Sequence, residues 1–332
     1  RPLIPIFTTL FSPMKQLLEF EKPVQKLRDE VEALRTKAAS KPSDKLASQI
    51  ADLEAKLDKL QRETHANLNP WQRVQISRHL NRPFMLDYVK HICDEFVELH
   101  GDRHIGDDNA MPAGFATIGG QRVAIIGHQK GRDTKENLLR NFGSAHPEGY
   151  RKALRVMRMA EKFGLPIVTL IDTPGAFPGI GAEERNIAEA IAFNLREMMT
   201  IQTPIIAVVI GEGGSGGALG IGIADRVLMM ENAYYSVISP EGCAAILWKD
   251  RKYAPEAATA LKVSAPDLKQ LGIIDAVIPE PLGGAHNDIP AAAESLKNAL
   301  LSAITELSKV KGPKLLDDRY QKFRVLGQFT EN

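Results

Sequence analysis

The chain has 332 residues, enough for one large domain or two, with 42 Lys or Arg against 41 Asp or Glu and a formal net charge of +1. This balance provides no overall field to attract nucleic acid or a membrane surface, and no uninterrupted apolar run reaches transmembrane length. The two cysteines, Cys93 and Cys243, are far apart and form no CxxC pair, which argues against a disulfide framework or a structural zinc site and fits a reducing compartment.

The first residues, 1–13, are apolar but are interrupted by Pro2, Pro5 and Pro13. They lack the basic start, the clean apolar core and the A-x-A-like cleavage site of a secretory signal. We therefore expect residues 1–13 to be a non-native leader and Met14 to be the natural start.

Residues 14–80 have the composition of a charged, helical region. Apolar side chains recur every three or four residues on both sides of Lys41-Pro42-Ser43, which is typical of two amphipathic helices in an antiparallel hairpin. Such a hairpin is either a solvated coiled-coil arm or a subunit-contact region. Both interpretations remain open, and a long amphipathic hairpin usually packs on something.

A helix is predicted over Arg82–Leu99, and a β-hairpin over Gly114–Ile118 and Arg122–Gly127. A cationic loop with Lys130 and Arg132 follows the second strand. The ends of strands are where α/β sheets place their ligands, so these two side chains are candidates to bind a phosphate or carboxylate group. An ordinary solvated loop is the alternative.

Two successive segments show the same order of buried strand, glycine-rich loop and helix. The first has a strand at Ile167–Ile171, a loop with Gly175 and Ala176, and a long helix from Ala182 to about Met199. The second begins with a strand at Ile205–Ile210. Because parallel strands send their loops to the same side of a sheet, we expect the two loops to form one site.

The loop of the second segment, Gly211–Gly217, is too dense in glycine for any regular element, and a small apolar helix is predicted from Ala218. Glycines leave backbone N–H groups uncovered, and N–H groups at a helix start suit an anion or a developing oxyanion. One alternative is a tight turn that only lets the helix sit close to the strand. A nucleotide-binding P-loop is disfavoured because no Lys occurs in the run.

A second alternative is a serine hydrolase. The run Gly213–Gly217 matches the G-x-S-x-G nucleophile elbow, with Ser215 as nucleophile, and Asp275 and His286 follow in the hydrolase order. A third alternative is a non-catalytic interaction subunit. Near-zero net charge and the lack of clustered aromatic residues argue against nucleic acid as its main ligand.

The rest of the chain contains short elements and a final long helix. Strands are predicted at Val227–Met230, Tyr235–Ile238 and Ile273–Ile278, and helices after Ser239-Pro240, at Ala265–Leu271 and at Ala291–Leu307. We expect residues 313–332 to be a C-terminal tail.

Several long motifs, in order, resemble one known family. They are GHQKGRDTKE, RNFG, HPEGYRKALR, IDTPGAFPG-GAEER, GEGGSGGALGIGIAD, YSVISPEG and EPLGGAH. The chain from Met14 onward resembles the carboxyltransferase alpha subunit of bacterial and plastid multi-subunit acetyl-CoA carboxylase. One departure is visible: Arg185–Glu189 reads R-N-I-A-E where the family usually reads R-G-Q-S-E.

The resemblance implies an α/β, crotonase-like fold of repeated ββα units over residues 81–312. It also implies half of an active site, completed by a homologous beta subunit in an assembly of two alpha and two beta chains. Carboxybiotin on a biotin carboxyl carrier protein would meet acetyl-CoA there; the released CO2 would be captured by the acetyl-CoA enolate, giving malonyl-CoA. Biotin carboxylase would charge the carrier elsewhere, because this chain has neither an Ala-Met-Lys-Met biotin site nor an evident ATP-binding loop.

The resemblance also assigns residues and a location. The backbone N–H groups of Gly216 and Gly217 would form the oxyanion hole. From their positions in the two loops, we expect Gly213, Gly214, Ser215, Gly175 and Ala176 to contact the substrates. Lys130 and Arg132 are candidates for the same role, as are Arg151 and Arg155, and all four either meet the carboxylate or the carrier protein or only pair with Glu136 and Glu148. No metal is expected on this chain, since the family places its zinc on the beta subunit. The expected location is the cytoplasm, or the plastid stroma in a plant.

Overall fold

The computed structural model describes residues 17–327. The predicted leader, 1–13, and Met14 lie outside the described residues. In residues 17–327, no helix has both the length and the apolar character needed to cross a membrane.

The predicted helical hairpin is confirmed. After a 3-10 turn at Glu19–Glu21, helices α1 (Lys22–Ser40) and α2 (Asp44–Ala66) run side by side. Ser43 caps α2 by accepting a hydrogen bond from the Leu46 amide at 3.3 Å. Most side chains of both helices are exposed or half-buried. The hairpin therefore has a large solvent-accessible surface.

The prediction of one helix over Arg82–Leu99 is wrong at both ends. Helix α3 (Pro70–Ser77) comes first, α4 covers only Met85–Ile92, and strand β1 covers Glu95–Glu98. Phe84 starts α4, and its amide donates to the Asp87 carboxylate at 2.8 Å. The apolar residues after Ile92 alternate along a strand, and so short a run does not distinguish this period from that of a helix.

One mixed, eight-stranded sheet organises the domain, in the order β1-β2-β3-β4-β5-β6-β8, with β7 paired to the end of β5. The remaining strands are β2 (Ala113–Ile118), β3 (Gln121–Gly127), β4 (Ile167–Thr173), β5 (Ile205–Gly214), β6 (Arg226–Met230), β7 (Tyr234–Ser236) and β8 (Ala276–Ile278). The pairs β1–β2 and β2–β3 are antiparallel, which confirms the predicted hairpin, and the other pairs are parallel.

Helices pack around this sheet and follow most of its parallel strands. They are α5 (Thr134–Leu139), α6 (Pro147–Lys162), α7 (Ile180–Glu184), α8 (Ile187–Met198), α9 (Ser215–Leu219), α10 (Pro240–Leu247), α11 (Ala254–Leu261), α12 (Ala265–Gln270), α13 (Ile289–Leu307) and α14 (Gly312–Arg324). Every residue of β4 and β5 is buried, as expected of parallel strands covered on both faces.

The predicted long helix over 182–199 is divided into α7 and α8. The break falls at Asn186, which has φ 63° and ψ 58°. This is the left-handed conformation that glycine adopts most easily and asparagine tolerates. The residue therefore fits the position where the related family has glycine, so the local departure is compatible with the same chain path.

Two further predictions are corrected in the second half of the chain. The run Gly211–Gly217 is not irregular: β5 continues through Gly214, because it pairs with Thr173 of β4 on one side and with β7 on the other. A short helix, α9, then starts at Ser215 rather than at Ala218. Ladder pairing has overridden the weak strand propensity of glycine here.

The expected C-terminal tail contains α14, which packs against the domain. The Arg319 guanidinium of this helix is buried and contacts Asp225 at 2.8 and 2.7 Å. It also donates to the carbonyls of Met198 and Ile201. One arginine therefore binds α14 to the end of α8 and to the segment that precedes β6.

Candidate functional site

The two glycine-rich loops lie side by side, as predicted. Strands β4 and β5 are parallel neighbours, and their register runs from Ile167↔Ile205 to Thr173↔Gly213. Both strands therefore end at the same edge of the sheet, and the loop after each starts from that edge. Thr173 also bonds to its own loop, since its hydroxyl accepts from the Gly175 amide at 3.1 Å.

Contact between these loops leaves no room for side chains at two glycines. A Cβ on Gly217 would lie 2.5 Å from the Ala176 nitrogen and 2.5 Å from the Gly175 carbonyl carbon. A Cβ on Gly214 would lie 2.2 Å from the Pro174 carbonyl oxygen. The two glycines are therefore required because one backbone approaches another closely.

The predicted amides belong to the start of α9. Gly216 and Gly217 are its second and third residues, and the first amides of a helix have no acceptor within the helix. Within residues 17–327, neither amide donates to the carbonyl of a loop residue. The prediction that these two N–H groups bind a negative oxygen therefore rests on their position at the helix start.

Ser215 has a feature that the hydrolase alternative requires. It is the first residue of α9, directly after the end of β5; its side chain is exposed, and its φ is +49°. A strained, exposed serine at a strand-to-helix turn is the geometry of a nucleophile elbow. The alternative is therefore decided by the positions of the other two triad residues.

Asp275 does not lie near Ser215. Its carboxylate accepts from the Val227 amide at 2.6 Å and pairs with Lys322. Val227 is at the start of β6, beside Ala207 of β5, whereas Ser215 follows the end of β5. Ser215 is eight residues after Ala207, so at a rise of about 3.3 Å per residue Val227 and Ser215 are about 25 Å apart along the strand direction.

His286 belongs to a different contact. Its ring stacks on that of His79 at a centroid distance of 3.9 Å. Burial, followed by the nearby His79, lowers the pKa of His286 to about 4. With the acid at the opposite edge of the sheet and the histidine in this stack, the structure does not assemble a triad of Ser215, Asp275 and His286.

A largely buried group of ion-paired and hydrogen-bonded side chains lies at the strand ends from which the two glycine-rich loops start. Lys130 contacts Asp172 at 2.6 Å and Glu212 at 2.8 Å, and Glu212 also contacts Arg78 at 2.8 Å and the Tyr234 hydroxyl at 2.8 Å. We call these five residues the charge network. Asp172 follows Ile171 in β4 and Glu212 follows Gly211 in β5, so the network joins the two strand ends that precede the site.

Lys130, which is predicted to contact a ligand, has ion-pair partners in this network. Its side chain is 13% exposed and has a carboxylate partner on each of β4 and β5. Burial opposes the charge on Glu212, but Lys130 and Arg78 outweigh this effect and lower its pKa to about 2. Lys130 therefore holds together the ends of β4 and β5, from which the two loops start.

His128 lies at the end of β3 and is fully buried. Burial and the charge of Lys130 lower its pKa to about 3, and the nearby backbone of Gly217 acts in the opposite direction. The imidazole is thus neutral at physiological pH. The causes of this shift show that the ring lies near Lys130 and the Gly217 backbone.

Arg132, which is also predicted to contact a ligand, has several contacts within the chain. It donates to the carbonyls of Leu80 and Arg82 at 2.7 and 2.9 Å, pairs with Asp87, and its guanidinium lies 4.0 Å from the centre of the Phe84 ring. These contacts bind the loop after β3 to the segment before α4.

Several residues of the site have no signal in the sequence. Arg78, directly after α3, and Tyr234 of β7 join the charge network although they lie more than 150 positions apart. Tyr150 of α6 donates to the Gly217 carbonyl at 3.2 Å. Their residue types are common on helices and strands, so only the fold reveals them. No group of three or more metal-ligating side chains occurs within residues 17–327.

Comparison with known proteins identifies the family. Residues 17–327 match the family described as "Acetyl co-enzyme A carboxylase carboxyltransferase-like". The chain is 55% identical to the acetyl-coenzyme A carboxylase carboxyl transferase subunit alpha of Geobacter metallireducens, over 95% of this chain and 98% of the relative. It is 52% identical to the same subunit of Thermus thermophilus, over 95% of this chain and 99% of the relative.

Solved structures share the fold at low sequence identity. Transcarboxylase 12S has a TM-score of 0.55 and 21% identity, over 68% of this chain and 41% of that chain. A Pseudomonas malonate decarboxylase hetero-tetramer in complex with coenzyme A has a TM-score of 0.57 and 16% identity, over 70% of this chain and 91% of that chain. The likeness confirms the predicted crotonase-like fold of mixed sheet and helices. Taken with the match over all the described residues, it leads to one conclusion: the chain belongs to the family of acetyl-CoA carboxylase carboxyltransferase alpha subunits.

Proposed function

We propose that this chain forms one half of a carboxyltransferase site. A carboxyl group would pass from carboxybiotin, held on a separate carrier protein, to acetyl-CoA, and the product would be malonyl-CoA. The observation that supports this proposal is the close contact of Gly217 with the Gly175–Ala176 peptide, which places two helix-start amides beside a second glycine-rich loop.

These amides suit a reaction in which an oxygen gains negative charge. Removing a proton from a thioester methyl group places charge on the carbonyl oxygen, and release of a carboxyl group places charge on the ureido oxygen of biotin. Two N–H groups from Gly216 and Gly217 would donate to one such oxygen, and one preorganised donor is worth about 3 kcal/mol of transition-state stabilisation. No side chain of this loop need take part in the chemistry.

The remaining predicted residues have supporting roles in this proposal. Gly213, Gly214, Gly175 and Ala176 would shape the wall of the site, and Ser215 would act as a spacer. Lys130 and the rest of the charge network would fix the distance between the loops, and Arg132 would fix the neighbouring loop after β3. The substrates would then be positioned by the backbone, which contributes through proximity.

The opposite wall would come from a beta subunit, in an assembly of two alpha and two beta chains. The beta subunit would have the zinc site, a carrier protein would have the biotin, and biotin carboxylase would charge it with ATP. The family resemblance supports this division and a location in the cytoplasm, or in the stroma of a plastid. Exposed apolar side chains on and beside α10, such as Val237, Ile246 and Leu247, are available for such a contact.

The proposal is tested by mixing the chain with the beta subunit and measuring malonyl-CoA-dependent carboxylation of free biotin. We expect no activity from either subunit alone and activity from the mixture. A Ser215→Ala variant should keep more than about a third of the activity, because the amide donors remain. Activity of the lone chain, or total loss in Ser215→Ala with normal assembly, would contradict the proposal and favour a serine nucleophile.

A further inference from the structure

Three fully buried side chains donate hydrogen bonds to the carbonyls of residues 217–221. The Tyr150 hydroxyl of α6 donates to Gly217 at 3.2 Å, the Asn194 amide of α8 donates to Gly220 at 2.9 Å, and the Thr169 hydroxyl of β4 donates to Ile221 at 2.8 Å. We call Tyr150, Asn194 and Thr169 the carbonyl donors. Each is at most 1% exposed, and each comes from a different element.

The carbonyl donors act on the segment that contains the proposed amides. A peptide unit is planar, so the Gly217 N–H has its direction fixed by the Gly216 carbonyl in the same plane. That carbonyl accepts from the Gly220 amide at 2.9 Å. Gly220 is held in turn by Asn194, and a Cβ on it would lie 2.5 Å from the Tyr150 ring. Contacts that hold Gly220 in place therefore also fix the orientation of the peptide unit that contains the Gly217 N–H.

The segment requires such restraint because its own structure is weak. Helix α9 has only five residues, Ser215–Leu219, and two of them are glycine. Glycine has the largest backbone freedom to lose and is a poor helix former. An oxyanion site is effective only when its donors are already in place before charge develops. An α9 without outside contacts would not meet that condition.

We propose that Tyr150, Thr169 and Asn194 are positioning residues, which set the direction of the Gly217 amide by holding the carbonyls in and directly after α9. This inference rests on the proposed function, since it assigns a role toward the same site. Because the carbonyl donors are fully buried, they would not touch the substrates. Their removal should lower the rate of transfer without weakening acetyl-CoA binding.

Near-isosteric variants test this inference. Tyr150→Phe keeps the ring on Gly220 and removes only the hydroxyl, and Thr169→Val keeps the branched shape in β4. Tyr88→Phe is the matched control, because the Tyr88 hydroxyl is also fully buried and has no hydrogen-bond partner among the described residues. Each variant is assembled with the beta subunit, and kcat and the KM for acetyl-CoA are measured. Backbone hydrogen exchange of a peptide covering residues 212–222 is measured in parallel.

We expect kcat to fall about fivefold in each single variant and about twentyfold in the Tyr150→Phe/Thr169→Val double variant. These losses are smaller than the loss in kcat on removing an oxyanion donor. The KM for acetyl-CoA should stay within about twofold of the wild-type value. Exchange of the 212–222 peptide should become faster in the double variant and stay unchanged in Tyr88→Phe. Unchanged kcat and exchange in the double variant would overturn the inference, as would an equal fall in Tyr88→Phe. A different result would contradict the proposed function, namely no carboxyl transfer by the mixture of the wild-type chain and the beta subunit. The hydrogen-exchange measurement tests the positioning role even then, because it does not depend on activity.

Discussion

Gly216 and Gly217 are adjacent in the chain, but a side chain would meet different surroundings at the two positions. At Gly217 a Cβ would overlap the Gly175–Ala176 peptide at 2.5 Å, whereas at Gly216 its nearest contact would be the Ile191 Cδ1 at 3.7 Å. The first distance cannot be relieved by turning a side chain, because both partners are backbone. The second is an ordinary van der Waals contact.

This difference provides a matched pair of variants. Gly217→Ala should lower kcat by about a hundredfold or more, because the two loops must separate and the amide donor is displaced. Gly216→Ala keeps its N–H and should retain activity within about threefold. The test is carboxyl transfer by each variant in the presence of the beta subunit, with assembly checked by gel filtration. Full activity of an assembled Gly217→Ala variant would rule out a donor at this position.

Residue types predict the close backbone contacts between the two loops, but they do not predict the partners of the charged side chains. Glycines at 214 and 217 are visible in the sequence because only glycine permits the contacts found there. Lys130 was placed correctly in the loop after β3, but its partners Asp172 and Glu212 lie 42 and 82 positions away. No local pattern distinguishes a lysine with two distant carboxylates from one that awaits a ligand.

At the scale of elements, the short pieces were the hardest to predict. Strands β3, β4 and β5 were found because their buried runs are long and rich in branched side chains. Helix α4 and strand β1 were merged into one helix because each is too short to show its period. The extension of β5 through Gly214 was missed because it depends on pairing with β7, a partner that local propensity does not include.

Helix α14 provides a prediction at this scale. Asp225 and Arg319 form a buried pair with side chains 3% and 0% exposed. Arg319→Met would leave the Asp225 carboxylate buried without its cation, which typically costs about 3–5 kcal/mol of unfolding free energy. Denaturant unfolding of the isolated chain should show this loss.

Lys314 is the matched control on the same helix. It pairs with Asp318 at 2.7 Å, but both side chains are at least half exposed. Lys314→Ala should therefore change the unfolding free energy by no more than about 0.5 kcal/mol. Equal effects of the two variants would show that α14 is not held by its buried arginine.

For the whole molecule, stability should depend on pH through the buried groups near the sheet edge. His128 has its pKa lowered from 6.5 to about 3 by burial and Lys130, so the folded chain keeps it neutral. Below pH 6.5 the ring binds a proton in the unfolded chain, and it must lose this proton when the chain folds. The unfolding free energy should thus fall as the pH drops from 6.5 toward 3.

Glu212 adds to this loss at lower pH. Its pKa is lowered from 4.5 to about 2, so the stability it contributes is present above pH 4.5 and is lost as the pH falls toward 2. Urea unfolding of the wild type and of His128→Asn across pH 7 to 4 separates the two groups. A shallower slope is expected for the variant between pH 6.5 and 4.5. Identical slopes would show that His128 is not the group that titrates.

The order of the sheet was not predictable as a whole, although its parts were. The parallel and antiparallel pairs follow from the connections, yet nothing in the sequence shows that the hairpin β2–β3 lies beside β4 or that β7 pairs with β5 rather than β6. The family resemblance supplied the architecture where residue patterns could not. The charge network depends on that architecture, because its members come together only when the strands take this order.

The contact of Gly217 with the neighbouring loop has a consequence for inhibitor chemistry. In the proposed site the groups that meet the reacting oxygen are peptide amides, which electrophilic drugs do not modify. A warhead aimed at serine, cysteine or histidine would find no target whose loss stops the reaction. Effective blockers should instead be compact anions or enolate mimics that fit between the loops, and resistance to them should arise in the surrounding walls rather than at the glycines.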